Sequence, residues 1–157
     1  KQESLFVGLY INELLYKILH QNDPHQSLYG SYQQLMTQLS TSEVDQSVLR
    51  HFEMQLLEEL GYGLVLDTEA ETGEAVSSEC LYYYIPDQGL KLLQNQATDD
   101  RHAISGADII ALNRGEFEQQ SVQRTAKQLT RQVIDFYLDG KALNSRELYR
   151  QHLLNSQ

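Results

Sequence analysis

A single cysteine, Cys80, among 157 residues excludes an internal disulfide framework and suits a reducing compartment. No apolar run approaches the ~18 residues of a membrane span, so no membrane partner is expected. Lys1-Gln2-Glu3-Ser4 does not resemble a signal peptide, and the apolar stretch after it is interrupted by Asn12 and Glu13. No initiator methionine is present, as expected of a piece of a longer protein. Basic residues are scarce at first: residues 1–113 carry 17 acids and 5 bases, whereas 114–157 carry 5 acids and 7 bases. The net charge of −10 thus divides into −12 and +2. A uniformly acidic domain would repel nucleic acid. Charges further apart than ~10 Å are largely screened at ~0.1 M salt, so the basic C-terminal third can act locally despite the global sum.

The chemistry of common enzymes is also missing. His20, His25, His51, His102 and His152 are scattered and form no HExxH pattern. There is no Gly-rich phosphate loop, no Gly-x-Ser-x-Gly elbow and no recognisable Cys-His pair. The expectation is a non-enzymatic, cytoplasmic protein without cofactor or metal. A chain of this length buries roughly 70% of its unfolded surface and needs no metal or disulfide for stability.

The apolar residues that are present follow helical periods. Val7, Ile11, Leu14 and Ile18, widened by Leu15 and Leu19, predict a helix over 4–20, stopped at Asn22-Asp23-Pro24. Leu28, Tyr32, Leu35 and Leu39 predict a second over 25–39. After a break at Ser40-Thr41-Ser42, with Ser42 a candidate cap, Leu49, Phe52, Leu56 and Leu60 predict a third over 43–60, ended by Gly61. Helical periodicity then lapses over 61–103. Cys80–Ile85 is rich in β-formers, Pro86–Gly89 is a turn signal and Gly89–Leu93 is its return strand, so a β-hairpin on an irregular loop is expected. Asp67–Glu79 carries five acids and reads as an exposed loop. A short helix follows from Ser105, a long one over 118–138 with Val122, Ala126, Leu129, Val133 and Phe136 on one face, and a last one over 145–154. Asn144 and Glu147 have capping-box spacing, and Ser145 is the alternative cap. The predicted fold is mainly α: a compact bundle of five to six helices forming one domain, with 61–103 as a hairpin insertion.

Two sets of residues stand out as binding candidates. Arg124, Lys127 and Arg131 lie roughly opposite the apolar face of the long helix. They form either a solubilising surface or a phosphate-contacting stripe with salt-sensitive binding. Lys141, Arg146 and Arg150 extend the basic set, although the tyrosines at 29–32 and 82–84 lie away from it and offer it no stacking. Arg50, beside Leu49 and Phe52, is a surface ion-pair partner of Glu53 or Asp45, or an anchor for a carboxylate next to an apolar groove. Asn12 and Glu13, polar in an apolar helix, are expected to fasten it to a loop or another domain.

Four stretches, in order, resemble the bacterial RecO family of recombination mediators. They are Gly8-Leu9-Tyr10-Ile11-Asn12-Glu13-Leu14-Leu15; Leu49-Arg50-His51-Phe52-Glu53 continuing to Leu60-Gly61-Tyr62-Gly63; Ser105-Gly106 with Ala111-Leu112-Asn113; and Asn144-Ser145-Arg146-Glu147-Leu148-Tyr149. The resemblance spans the chain and implies the helical C-terminal portion of such a protein, without its N-terminal OB-fold. It implies a DNA repair and recombination role in which RecO, with RecR and RecF, helps RecA load onto single-stranded DNA coated with single-strand-binding protein (SSB) and anneals strands. It also implies that this part receives the acidic C-terminal tail of SSB, with Arg50 in the family's Arg-x-Phe-Glu position and Leu49 and Phe52 beside it.

The chain departs from that pattern in two places. Many members carry two Cys-x-x-Cys zinc-binding pairs, where this sequence has Asp67-Thr68-Glu69-Ala70 and Gly89-Leu90-Lys91-Leu92, so no zinc is expected and Tyr82, Tyr84 and Leu90 should hold the hairpin. Asn144 replaces the usual Lys, removing one possible phosphate contact. The alternatives are a direct single-stranded DNA-binding module through the basic C-terminal helices, and a structural support for the OB-fold.

Overall fold

The computed structural model describes residues 2–20, 24–41, 45–94 and 102–155. Six helices and a small sheet follow in the order α1 (Gln2–Ile18), α2 (Gln26–Thr41), α3 (Gln46–Glu59), β1 (Leu81–Ile85), β2 (Gly89–Leu92), β3 (Ile104–Ser105), α4 (Gly106–Asn113), α5 (Gln120–Leu138) and α6 (Asn144–Asn155). The chain is mainly α, as its periodicities predict. Ser42 and the Asn22-Asp23 part of the first stop signal lie outside the described residues. Contacts divide the chain into two units, Lys1–Phe52 with Ile134–Gln157, and Glu53–Val133.

In the first unit, α1 has three distinct sides. Ile11 and Leu14 are fully buried. Glu3, Phe6, Tyr10 and Glu13 meet α6. Leu5, Leu9 and Tyr16 remain exposed, at 62%, 44% and 84%. Asn12 joins α1 to α2 by accepting from the Tyr32 hydroxyl at 2.8 Å. Leu28, Leu35, Leu49, Phe52, Ile134 and Leu138 are the buried apolar residues contributed by the other helices. Asp45 caps α3: its carboxylate accepts from the backbone N–H and the hydroxyl of Ser47, at 2.9 and 2.6 Å. Those bonds hold the Asp45 carboxyl below its ordinary range.

In the second unit, α3 ends where Gly61 adopts φ +79, which leaves Gly61 N–H to donate to Glu58 and Tyr62 N–H to Leu57. The hairpin pairs Tyr82 with Leu92 and Tyr84 with Leu90. Tyr82, Tyr84 and Leu90 are buried and Tyr83 is half-buried. The sheet has a third strand that sequence reading missed: β3 pairs antiparallel with β1, Leu81 opposite Ser105 and Tyr82 opposite Ile104. Two residues carry too little periodicity to announce a strand.

The acidic loop docks on the hairpin. Ala70 N–H donates to Leu90 carbonyl at 2.7 Å, and Lys91 pairs with Glu71 at 2.6 Å. Glu69, expected in an exposed loop, is buried at 6%. Its carboxylate closes its own turn, accepting from Thr72 N–H and hydroxyl and from Glu71 N–H. The Asp67–Ala70 and Gly89–Leu92 segments are thus tied by main chain, and the Glu71–Lys91 ion pair sits just beyond the first.

The buried face of α5 changes direction. Val122, Ala126, Leu129 and Val133 are buried as the 4-3-4 rhythm predicts, but Phe136 is 51% exposed and Ile134 and Leu138 are buried in its place. The stripe swings round the helix after Val133, which leaves Phe136 edge-on to Tyr137 at 5.0 Å. A fixed helical period cannot reveal such a turn, because it assumes that one neighbour covers the whole length.

Candidate partner-binding and nucleic-acid surfaces

Arg50 sits on α3 between two core residues. Leu49 and Phe52 are each 3% exposed and Arg50 is 7% exposed. The Arg50 guanidinium donates to Gln46 Oε1, one turn back, at 3.3 Å. The Asp45 carboxylate serves Ser47, and the Glu53 carboxylate accepts from the buried Thr130 hydroxyl at 2.8 Å. Glu53, at 1% exposure, closes the Leu49–Glu53 stretch as an interior residue. Leu49 and Phe52 therefore present packed side chains rather than an open apolar groove. They set the position of α3 and, through it, that of Arg50.

The basic residues fall into two places. Arg124, Lys127 and Arg131 are exposed along one side of α5, in the second unit. Three glutamines at the margin of that stripe tie α5 to the surrounding chain. The side-chain amide of Gln123 donates to Phe117 carbonyl at 2.8 Å, that of Gln128 to His102 at 2.9 Å and that of Gln132 to Tyr84 at 2.7 Å. The basic stripe thereby stands on a helix fastened to a loop and to the hairpin. Sequence reasoning missed these glutamines, because nothing in their spacing points to distant carbonyls.

Lys141, Arg146 and Arg150 belong to the first unit. Lys141 and Arg150 are exposed, and Arg150 lies 3.3 Å from Glu147, a surface pair worth well under ~1 kcal/mol. Arg146 is different. Its guanidinium pairs with Asp135 and lies over the Tyr10 ring, 5.4 Å from the centroid. Only about a fifth of its side chain is exposed, at 21%. In this arrangement Arg146 fastens helices rather than offering its charge outward.

The cap of α6 comes from neither sequence candidate. Glu13 of α1 supplies it: one carboxylate oxygen accepts from Asn144 N–H at 2.9 Å, and the other accepts from Ser145 N–H and hydroxyl at 2.8 and 2.7 Å. Lys17 pairs with the same carboxylate at 2.6 Å and donates to Ala142 carbonyl. Burial would push the Glu13 carboxyl up, but Lys17 and these donors outweigh it and bring its pKa down to about 2. The polar residues noted within α1 thus do the fastening, Asn12 towards α2 and Glu13 towards α6.

Among the described residues, no group of three or more His, Cys, Asp or Glu side chains could hold a metal ion, and no helix is long and apolar enough to cross a membrane. Cys80 is a half-buried free thiol.

Comparison with known proteins gives this arrangement a family. The sequence model for "Recombination protein O C terminal" matches residues 3–147. A DNA repair protein RecO of Methylococcus capsulatus is 42% identical over 147 residues, covering 94% of this chain and 59% of that protein. The corresponding proteins of an Azoarcus species and of Nitrosospira multiformis are 35% and 32% identical, with 96% and 94% of this chain and 63% and 61% of theirs covered. The chain spans about three-fifths of the length of these relatives. With the model matched from α1 into α6, the chain belongs to the RecO family, and its helices correspond to the part which that family's model describes as C-terminal.

Proposed function

We propose that this chain is the partner-recognition part of a non-catalytic recombination mediator in cytoplasmic DNA repair. It works with RecR and RecF to help RecA load onto SSB-coated single-stranded DNA, and its own task is to receive the SSB C-terminal tail. Family membership is the observation that carries this reading, since the relatives are named DNA repair protein RecO. Arg50 is its anchor for the tail carboxylate. A guanidinium held by Gln46, on a side chain that is only 7% exposed, has lost much of its side-chain freedom before a ligand arrives, which reduces the ordering cost of a charged contact.

Calorimetric titration with a synthetic SSB tail peptide tests the reading. Binding is expected, and it should vanish with a peptide lacking the last residue. Arg50→Ala should weaken it by about 1–3 kcal/mol, the size of a hydrogen bond to a charged group. A folded Arg50→Ala variant with undiminished affinity would remove Arg50 from the site.

The exposed α5 stripe favours a second reading, a direct contact with the phosphates of single-stranded DNA through Arg124, Lys127 and Arg131. Its signature is salt dependence. Three phosphate contacts on a single strand give a slope of log K against log salt near about −2. Replacing all three bases by alanine should flatten the slope by about that amount in fluorescence anisotropy with an oligonucleotide. A slope unmoved by the triple substitution would exclude α5 as the phosphate surface. Lys141 and Arg150 are the lesser contributors, and Arg146 contributes least because Asp135 already neutralises it. A chain that bound neither peptide nor oligonucleotide would leave the role of structural support for an OB-fold domain.

A further inference from the structure

The acidic loop does not close against the hairpin everywhere. Between residues 69–77 and the open end of the β1–β2 hairpin, within the second unit, lies a cleft of about 540 Å³. That is the size of a small-ligand site. Glu71, Glu74, Ser77, Tyr82, Tyr83 and Lys91 supply its polar groups. Main-chain bonds fix both walls. Ala70 N–H donates to Leu90 carbonyl at 2.7 Å, Val76 N–H to Asp67 carbonyl at 3.0 Å and Gly106 N–H to Cys80 carbonyl at 2.9 Å. A cleft held in this way needs little ordering when it binds. Two of its side chains have bonding capacity to spare. Tyr82 is 3% exposed, and its hydroxyl oxygen accepts from Ser77 N–H at 2.9 Å. The hydroxyl proton has no acceptor among the described residues. An unused buried donor is costly, so Tyr82 favours the entry of a group that accepts from it. Glu74 is exposed, and its carboxylate has no ion-pair or hydrogen-bond partner among the described residues.

We propose that this cleft binds a basic peptide segment of a partner protein, taking a Lys or Arg side chain at Glu74 against the Tyr83 ring and a main-chain carbonyl on the Tyr82 hydroxyl. Charge decides the sign of the ligand. Residues 67–94, which build the cleft, carry six acids and one base. That base, Lys91, is already paired with Glu71 at 2.6 Å. A phosphate or an acidic peptide therefore meets repulsion, and a cation meets an unpaired carboxylate beside an aromatic ring. Tyr82 decides that the ligand is a peptide. A simple polyamine would satisfy Glu74 but brings no acceptor for the phenol, whereas every peptide unit carries a carbonyl. The site is separate from Arg50, which belongs to the first unit.

Fluorescence anisotropy with a dye-labelled octapeptide of alternating arginine and alanine, added to the whole chain, tests this. Cys80, the single cysteine, lines the cleft and reports occupancy through its rate of reaction with a thiol reagent. The peptide should bind and slow Cys80 modification several-fold, and the same peptide with citrulline for arginine should do neither. Glu74→Gln should weaken binding about tenfold and Tyr82→Phe about threefold or more, as expected for charged and neutral hydrogen bonds. Glu118→Gln, which alters an exposed carboxylate outside the cleft, should change it by less than about twofold. Equal losses from Glu74→Gln and Glu118→Gln would mean diffuse attraction to an acidic surface and would overturn the proposal. So would binding that leaves the Cys80 rate unchanged, equally strong binding of the citrulline peptide, or no binding at all. Should Tyr82→Phe fail to fold, Glu74→Gln and the protection of Cys80 decide alone.

Discussion

Gly106→Ala is expected to lower folding stability by about 3 kcal/mol, the upper end of the usual cost of overpacking. Gly106 opens α4, and its N–H donates to the Cys80 carbonyl at 2.9 Å. A Cβ built there would lie 1.9 Å from the Ser77 carbonyl oxygen, 2.9 Å from its carbon and 3.1 Å from the Cys80 oxygen. All three obstacles are main chain, so no side chain can swing aside. Either the Ser77–Cys80 turn moves, which disturbs the start of β1, or α4 moves away from β1. In both cases the Gly106–Cys80 bond and the pairing of β3 with β1 suffer together.

Equilibrium urea unfolding followed by far-ultraviolet circular dichroism measures the effect as a lower midpoint at similar slope. Gly8→Ala is the control. Gly8 lies inside α1 with open space around its Cβ position, so alanine there should be neutral or stabilising by up to about 1 kcal/mol. An unchanged midpoint for Gly106→Ala would show that α4 does not approach Ser77 so closely. The Ser105-Gly106 pair is therefore a packing signature: glycine stands where one backbone presses on another.

Glu13 carries the second large effect, and its sign depends on pH. Its carboxyl titrates at about 2 when folded, against an ordinary value of 4.5. A depressed folded pKa means that the unfolded chain takes up the proton first as the solution is acidified. The stability contributed by Glu13 is thus fully present above about pH 4.5 and is lost as the pH falls through the folded value near 2. Glu13→Gln removes the charge that meets Lys17 and the first turn of α6. At neutral pH it should lower stability by about 2 kcal/mol, in line with charge-assisted hydrogen bonds partly open to water.

The difference between the two proteins should then shrink between pH 4.5 and pH 2. Comparing the pair is necessary because the Asp45 and Glu69 carboxyls are also held low, by Ser47 and Thr72, and add their own acid lability to both proteins. Thermal midpoints recorded across this range provide the measurement. A gap between the proteins that stays constant down to pH 2 would mean that Glu13 does not cap α6 as a carboxylate.

These two positions show where sequence reading reaches and where it stops. The helices were legible because amphipathic periodicity is local: Val7, Ile11, Leu14 and Ile18 announce α1 without reference to any other part of the chain. The hairpin was legible for the same reason, through β-formers either side of Pro86–Gly89. Family membership was legible in four short stretches, which keep their order whatever surrounds them.

The functions of the residues inside those stretches were not legible. Arg50 stands out in sequence as a base in an acidic half, but only packing shows that it is itself buried, as Leu49 and Phe52 are. Arg146 counts as a positive charge until Asp135 and Tyr10 are found against it. Glu53 looks like a surface acid until the hydroxyl of Thr130, 77 residues away, meets it in the interior.

The amino-acid sequence by itself thus determined the number and type of the main elements, the alternation of the hairpin and the family, because each rests on propensity or pattern within a few turns of chain. Tertiary structure alone decided that Glu13 caps a helix starting 131 residues later, that the apolar stripe of α5 swings away from Phe136, and that Gly106 has no room for a methyl group. Each is a meeting of groups far apart in sequence, and such meetings are set by the summed packing of whole elements, which no local period records.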